Sequence, residues 1–378
     1  AVCLFLSGLF FNYCYYILLY SMKRILLVNG INVSAGGANT ETLNHWRVDL
    51  DKYYIYKQWD LMPSFVSPKM NAGIVRRFLA ALYTFPGCLA RMIPSVIFEY
   101  ALKISPFVVL RFLLELWRFK PDQVIFSHHS TFFLMLFVPK LKRKIVIHDL
   151  IFSKAMSLGS SKKMGKTILR FEKKIISFAS SVGILSYREF RCVQSMLRDS
   201  SLWLISCREI SSVIKVPRET KDVAIVADWS RTENQHGLIT FFDGYETLEI
   251  PPIYMYGKGS DLFHGSLNSS LQNVFIDCGR FSDFLDIKQK FILVPIYRGA
   301  GIKAKVLDCI KYSKKILGTV DAFSGLPPKI RKMVGVKVTR ASDIQQYIEL
   351  STNIDCPSDN VAQYLRDHFN SITVLVCK

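Results

Sequence analysis

FILVPIYRGAGIKAKVLDCI, residues 291–310, runs from an apolar stretch through two glycines directly into a helical pattern that carries Lys303, Lys305 and Asp308. FILVPIY reads as a buried strand, and the spacing after Gly301 as a helix. The first turn of a helix leaves backbone N–H groups unpaired, and the helix dipole adds partial positive charge there, so an anion fits. Gly299 and Gly301 would let the backbone approach a phosphate with no Cβ in the way, and Lys303 adds a full charge. Asp308 follows about 12 Å beyond Ala300 by helical rise, a reach suited to ribose hydroxyls rather than to a diphosphate. The plainer alternative is a tight turn in which Lys305 pairs with Asp308 at i,i+3. These residues alone leave both readings open.

Working outward, further short apolar runs recur: RILLVN (24–29), QVIFSH (123–128), KIVIHDL (144–150), SVGILS (181–186), VAIVAD (223–228), IYMYG (253–257), VFIDCG (274–279) and KILGTV (315–320). Helical patterns fill the gaps between them. Strands alternating with helices predict an α/β chain with parallel sheets covered on both faces. At 378 residues, half of them hydrophobic, the chain exceeds one ordinary core. We therefore expect two Rossmann-like domains facing a cleft. Pro217 and the mixed charges of VIKVPRETKD (213–222) mark the hinge, dividing residues 22–215 from 216–378, the second part ending in a terminal helix.

The formal charge is +19, which favours a polyanionic partner: nucleic acid, an anionic membrane or a phosphorylated substrate. No recognisable nucleic-acid module accompanies it, so nucleic acid is not expected. The nine cysteines lie far apart with no C-x-x-C spacing, which suggests neither a zinc site nor a disulfide framework and points to a reducing, cytoplasmic setting. Residues 1–21 carry no charge and are long enough, at ~1.5 Å per residue, to cross a bilayer core of about 30 Å. They read either as a single N-terminal anchor or as an extraneous segment before Met22. The lack of a preceding basic stretch and the nearness of RILLVN favour the second. In SKKMGKTILRFEKKIISF (161–178), Ile168, Phe171, Ile175 and Phe178 share one helical face and the lysines lie largely on others. That helix is either an ordinary core-facing one or a peripheral contact with anionic lipid on the inner membrane face.

The stretch from Pro295 to Leu326 resembles the donor segment of family-4-like glycosyltransferases of the GT-B fold, whose pattern runs P-x-x-x-G-x-G-x-K-x-K-x-L-E. Gly299, Gly301, Lys303, Lys305, Leu307 and the acid at 308 match together. The resemblance implies transfer of a sugar from a nucleoside diphosphate to an acceptor, with retention at the anomeric carbon and without a metal or other cofactor. The acceptor it suggests is a surface glycan or lipid-linked saccharide. Two departures stand out. Ala300 occupies the place where many members carry a glutamate, and Asp308 replaces the second glutamate.

The same resemblance implies roles elsewhere. Gly36 and Gly37, between the first strand and the helix near Thr40, would face the donor phosphates. His148, at the carboxyl end of KIVIHDL, would approach the donor sugar, as strand ends of open α/β sheets do with their ligands. Arg231 would grip the diphosphate, and His236 before Gly237 stands where these enzymes place a lysine. His128 and His129 also end a strand and are weaker acceptor-side candidates. DLD (49–51) follows a helix-like run and reads as a solvated helix end, not a metal-binding Asp-x-Asp. Two rival functions remain: a nucleotide-sugar 2-epimerase, which would need several acids in the cleft, and an inactive relative that binds nucleotide or membrane, suggested by Ala300 and His236.

Overall fold

The computed structural model describes residues 22–30, 38–60, 106–157, 159–197, 201–208, 210, 212–217, 219–244, 250–351 and 357–377. The apolar segment 1–21 and the predicted donor-loop residues Gly36 and Gly37 lie outside the described residues.

The first sheet contains β1 (Arg24–Asn29), β2 (Ile55–Asp60), β3 (Gln123–Ser127), β4 (Arg143–Ile147), β5 (Ser181–Ile184) and β6 (Ser201–Leu204), in the order β2-β1-β3-β4-β5-β6. Helices α1 (Ala38–Asp51), α2 (Pro106–Phe119), α3 (Ile151–Ser157), α4 (Lys162–Ile176) and α5 (Tyr187–Gln194) accompany it. The second sheet, β12-β11-β10-β7-β8-β9, begins with β7 (Thr220–Val226). It is followed by α6 (Thr232–Phe241), β8 (Ile253–Tyr256), α7 (Ser260–Ser266), α8 (Ser269–Val274), β9 (Phe275–Gly279) and β10 (Gln289–Val294). Then come α9 (Ala304–Lys311), β11 (Lys315–Gly318), α10 (Pro328–Val334), β12 (Gly335–Lys337) and α11 (Ile344–Ser351). All strand pairings are parallel. This is the two-sheet α/β architecture expected from the alternating runs.

Each sheet buries both faces. In β1, Leu26 and Val28 join one apolar cluster and Ile25 and Leu27 another, as the period of two along a strand requires. The cluster holding Ile25 and Leu27 continues into Val226, Ile292 and Val294 of the second sheet. The two halves thus share one apolar layer, with separate outer cores behind.

Two features depart from the sequence reading. The predicted runs overshoot: β3, β4, β7 and β10 stop at Ser127, Ile147, Val226 and Val294, leaving His128, His148, Asp149, Asp228 and Pro295 on the loops. The terminal segment, counted with the second domain, returns to the first. After α12 (Asp359–His368), Asn370 N–H donates to Leu204 O at 2.7 Å, and Ser206 N–H donates to Asn370 O at 2.9 Å. Helix α13 (Val374–Cys377) then packs against β5, and Ser371 Oγ donates to Asp49 at 2.6 Å. Half of DLD is therefore bound rather than solvated, while Asp51 stays exposed beside Arg47. Among the described residues no helix is long and apolar enough to cross a membrane, and Cys192, Cys207, Cys278 and Cys309 are free thiols.

The lower end of the second sheet is pinned by Lys314, fully buried, whose Nζ donates to Ile287 O at 2.6 Å, Gln289 O at 3.0 Å and Glu219 Oε1 at 2.9 Å. Removing one member of a buried charge pair costs about 3–5 kcal/mol, because its partner is left uncompensated. We expect Lys314→Ala to lower stability by about that amount, read as a fall in the urea midpoint at unchanged slope.

Candidate functional site

In an open parallel sheet, ligands gather at the carboxyl ends of strands where the order reverses. Here those points lie between β1 and β3 in one sheet and between β7 and β10 in the other. The loop after β10 carries Gly299 (φ 133°) and Gly301 (φ 72°), and α9 opens with Lys303 at its N-cap. The backbone N–H groups of Ala304 and Lys305, first in the helix, meet no acceptor among the described residues. Lys305 Nζ donates to Val226 O at 2.9 Å, at the end of β7. Burial, with the charges of Arg231 and Lys303 adding to it, pulls the Lys305 ammonium down to about 8. Three cations therefore share this corner. Lys303 Nζ donates to Ala300 O at 2.6 Å. Arg231, the N-cap of α6, is largely exposed, with Glu233 Oε2 3.8 Å away.

The glycines do something the sequence did not suggest. They were expected to let the backbone approach a phosphate, yet Gly301 is pressed against the first domain. A Cβ there would overlap Asp149 Oδ1 and lie 3.0 Å from His148 O. Gly301 N–H donates to Glu189 Oε1 at 3.1 Å, and Gly299 N–H to Ser157 Oγ at 3.2 Å. Both acceptors belong to the first domain, on α5 and α3.

His148 sits at the end of β4, its Nε2 3.0 Å from Ser127 Oγ and its ring edge-on to Trp46 at 5.5 Å between centroids. Burial pulls its imidazole down to about 4, so it is neutral at physiological pH. The His128 ring lies 6.0 Å from it and 3.8 Å from that of His129, and His128 Nδ1 is 2.9 Å from Ser130 Oγ. His128 adopts φ 76°, a backbone conformation a non-glycine residue rarely takes. The weaker histidine candidates thus flank the stronger one.

Asp308 does not pair with Lys305. Its Oδ1 accepts from Arg208 Nε at 3.3 Å, and Arg208 also reaches Glu41 at 2.8 Å and Thr42 Oγ1 at 3.3 Å. Burial pushes the Asp308 carboxyl up to about 6, with Arg208 opposing and Glu41 adding to the rise. Arg208 is buried and links α1 of the first domain to α9 of the second. Beside it lies a cavity of about 210 Å³ lined by His45, Asp49, Cys207, Leu307 and Arg366 among others. Its walls include none of Gly299, Gly301, Lys303 or Arg231. His236 stands apart: exposed on α6, its Nδ1 is 3.0 Å from Thr240 Oγ1, and no hydrogen bond or ion pair among the described residues joins it to the three cations.

Sequence reasoning missed Glu172, Glu189 and Arg208, and it placed Asp149 beside His148 at the strand end without giving it a role. Glu172 falls on the apolar face of α4, and its buried carboxylate accepts from the N–H groups of Ile151 and Phe152, capping α3. A lone acid on an apolar face was its only signal. Ser186 and Glu189 have the spacing of a capping box, yet Ser186 makes no cap bond. No three His, Cys, Asp or Glu side chains among the described residues are grouped to hold a metal ion.

Solved structures share this architecture. A glycosyltransferase from Rickettsia africae superimposes with TM-score 0.59 at 11% identity over 95% of this chain and 97% of that one. The chain has the GT-B fold. Sucrose-phosphate synthase from Thermosynechococcus elongatus gives 0.64 at 12% identity over 94% and 97%. HepE from Anabaena, solved in complex with UDP, gives 0.58 at 13% over 94% and 98%. No protein-family model matches the sequence, and no curated protein does.

Two outcomes follow for this site. Gly301→Ala places a methyl group onto Asp149 at a positive φ, and we expect a loss of about 1–3 kcal/mol, read by thermal unfolding. Asp308 binds its proton more tightly folded than unfolded, so its contribution to stability is lost as pH rises through about 6. Urea melts at pH 4.5 and 7.5 will show Asp308→Asn gaining on the native chain at the higher pH.

Proposed function

We propose that the chain is a retaining glycosyltransferase that moves a sugar from a nucleoside-diphosphate donor to a saccharide acceptor. The observation that carries this reading is the gathering of Arg231, Lys303 and Lys305 at the open amides of α9, opposite His148. Cations and oriented amides aimed at a departing diphosphate stabilise charge that develops only as the sugar leaves. In this reading side-chain cations take the neutralising part with no metal, and His148, neutral, positions a sugar hydroxyl. The leaving phosphate oxygen takes the acceptor's proton in a same-face attack. Asp308 holds the ribose after exchanging its bond with Arg208. Gly36, Gly37 and His236 complete the donor set carried over from the family resemblance.

The acceptor is a surface glycan or lipid-linked saccharide, met at an anionic membrane surface on the cytoplasmic side. Lys162, Lys163, Lys166, Arg170, Lys173 and Lys174 of α4 are all exposed, the distribution such a contact requires. The neighbour HepE was solved with UDP, so uracil heads the list of bases. The 2-epimerase reading gains support from Asp149 and Glu189 at the cleft, and it is distinguished by its product, a sugar inverted at C2 and either still joined to the nucleotide or released from it by water.

Incubation with radiolabelled nucleotide sugars decides between them. Label in an acceptor upholds transfer, and free sugar or nucleotide alone removes it. Each lost charge-assisted bond is worth about 1.5–3 kcal/mol. Titration calorimetry with UDP and other nucleoside diphosphates should therefore show Arg231→Ala and Lys303→Ala each weakening binding by roughly 10–100-fold.

A further inference from the structure

Glu189 lies 1% exposed on α5, and its Oε1 accepts two N–H groups at once: Leu150, just past the end of β4, at 3.1 Å, and Gly301, from the second domain, at 3.1 Å. Its Oε2 is buried with no hydrogen-bond partner among the described residues. A buried carboxylate left so poorly satisfied is costly, and a neutral carboxyl in the same place costs less. The charged groups facing it are Asp149, at the end of β4, and Lys303, at the N-cap of α9. Glu172 and Arg188 act on Cys192, one turn along α5. The adjacent bond from Gly299 to Ser157 and the absence of room for a Cβ at Gly301 show how tightly the two domains meet here, and Tyr187 N–H, also on α5, donates to Gly325 O of the second domain at 2.8 Å.

We propose that Glu189 is a positioning residue that latches the cleft: its buried carboxyl group accepts the Gly301 N–H and so holds the Gly299–Gly301 loop on the strand end that carries His148. The meaning of this latch for donor binding rests on the transfer reading above; the latch itself does not. Burial, reinforced by the Asp149 charge, pushes the Glu189 carboxyl up to about 8, against an ordinary value of 4.5 once the cleft opens. Closure is thus fully favoured below 4.5. Each unit rise in pH between these values lowers the closed-to-open ratio by up to tenfold, and the loss levels off above about 8.

Hydrogen exchange of the ligand-free chain tests the proposal, because protection reports even rare opening. After correction for the intrinsic exchange rate, the amide of Gly301, whose bond to Glu189 crosses the cleft, should lose protection as pH rises from 5 to 8, and that of Leu150, bonded to Glu189 within the first domain, should keep it. In Glu189→Gln, which accepts both bonds and cannot ionise, protection should be retained and independent of pH. In Glu189→Ala both amides should exchange freely at every pH while the Ile292 amide in β10 stays protected. Unchanged protection of the two amides in Glu189→Ala, or native and Glu189→Gln proteins that track each other at Gly301 across this range, would overturn the latch. No donor or acceptor enters the measurement, so a failure to transfer sugar and a failure of the latch are told apart.

Discussion

The approach of Gly301 to the end of β4 is the contact on which the geometry of the cleft rests. Four groups from the first domain meet one turn of backbone from the second: His148 O, Asp149, Glu189 and Ser157. Only a residue without a side chain fits there, and its φ of 72° is one that glycine adopts freely. That single apposition brings the strand end bearing His148 against the loop that leads into Lys303 and the open amides of α9. Two glycines read from the sequence as room for a ligand are, at Gly301, room for the other half of the protein.

Charge at this corner is arranged in two tiers. Arg231, Lys303 and Lys305 concentrate positive charge where β7 and β10 diverge, and burial, helped by the charges of Arg231 and Lys303, lowers the proton affinity of Lys305. Across the cleft stand Asp149 and Glu189, whose carboxyls burial pushes upward. Of the two acids, Asp149 feels the charges of Lys303 and Arg231 most directly and offsets them. A doubly charged phosphate ligand would alter that balance on both sides, which is why the acids of the first domain belong to the description of a site whose cations come from the second.

Much of the fold was legible because strands buried on both faces are written as unbroken apolar runs. RILLVN, KIVIHDL, VAIVAD and FILVPIY are all central strands. The strands missed were β2, β6 and β12, all at sheet edges. IYKQWD carries Lys57, Gln58 and Asp60 because an edge is half solvated, and GVK is too short to show any period. The site was legible where one segment held several of its members, as from Gly299 to Asp308. It was not legible where a partner comes from a hundred or more residues away. Arg208 meets Asp308 and Glu189 meets Gly301 only because the sheets face each other, and nothing local in SYREF or SCREI announces it.

The return of the chain end to the first domain has a mechanical consequence. The polypeptide crosses between the halves twice, once from β6 to β7 and again around α12. The crossings are stitched side by side: Val213 N–H donates to Asp359 at 2.9 Å, and Arg366 Nη1 to Ile210 O at 3.0 Å. Two bodies hung on paired pins keep one easy rotation and lose sliding and twisting. Any gape of the mouth between Gly301 and Asp149 is therefore a swing about that spine, which returns the lips to the same register each time they meet.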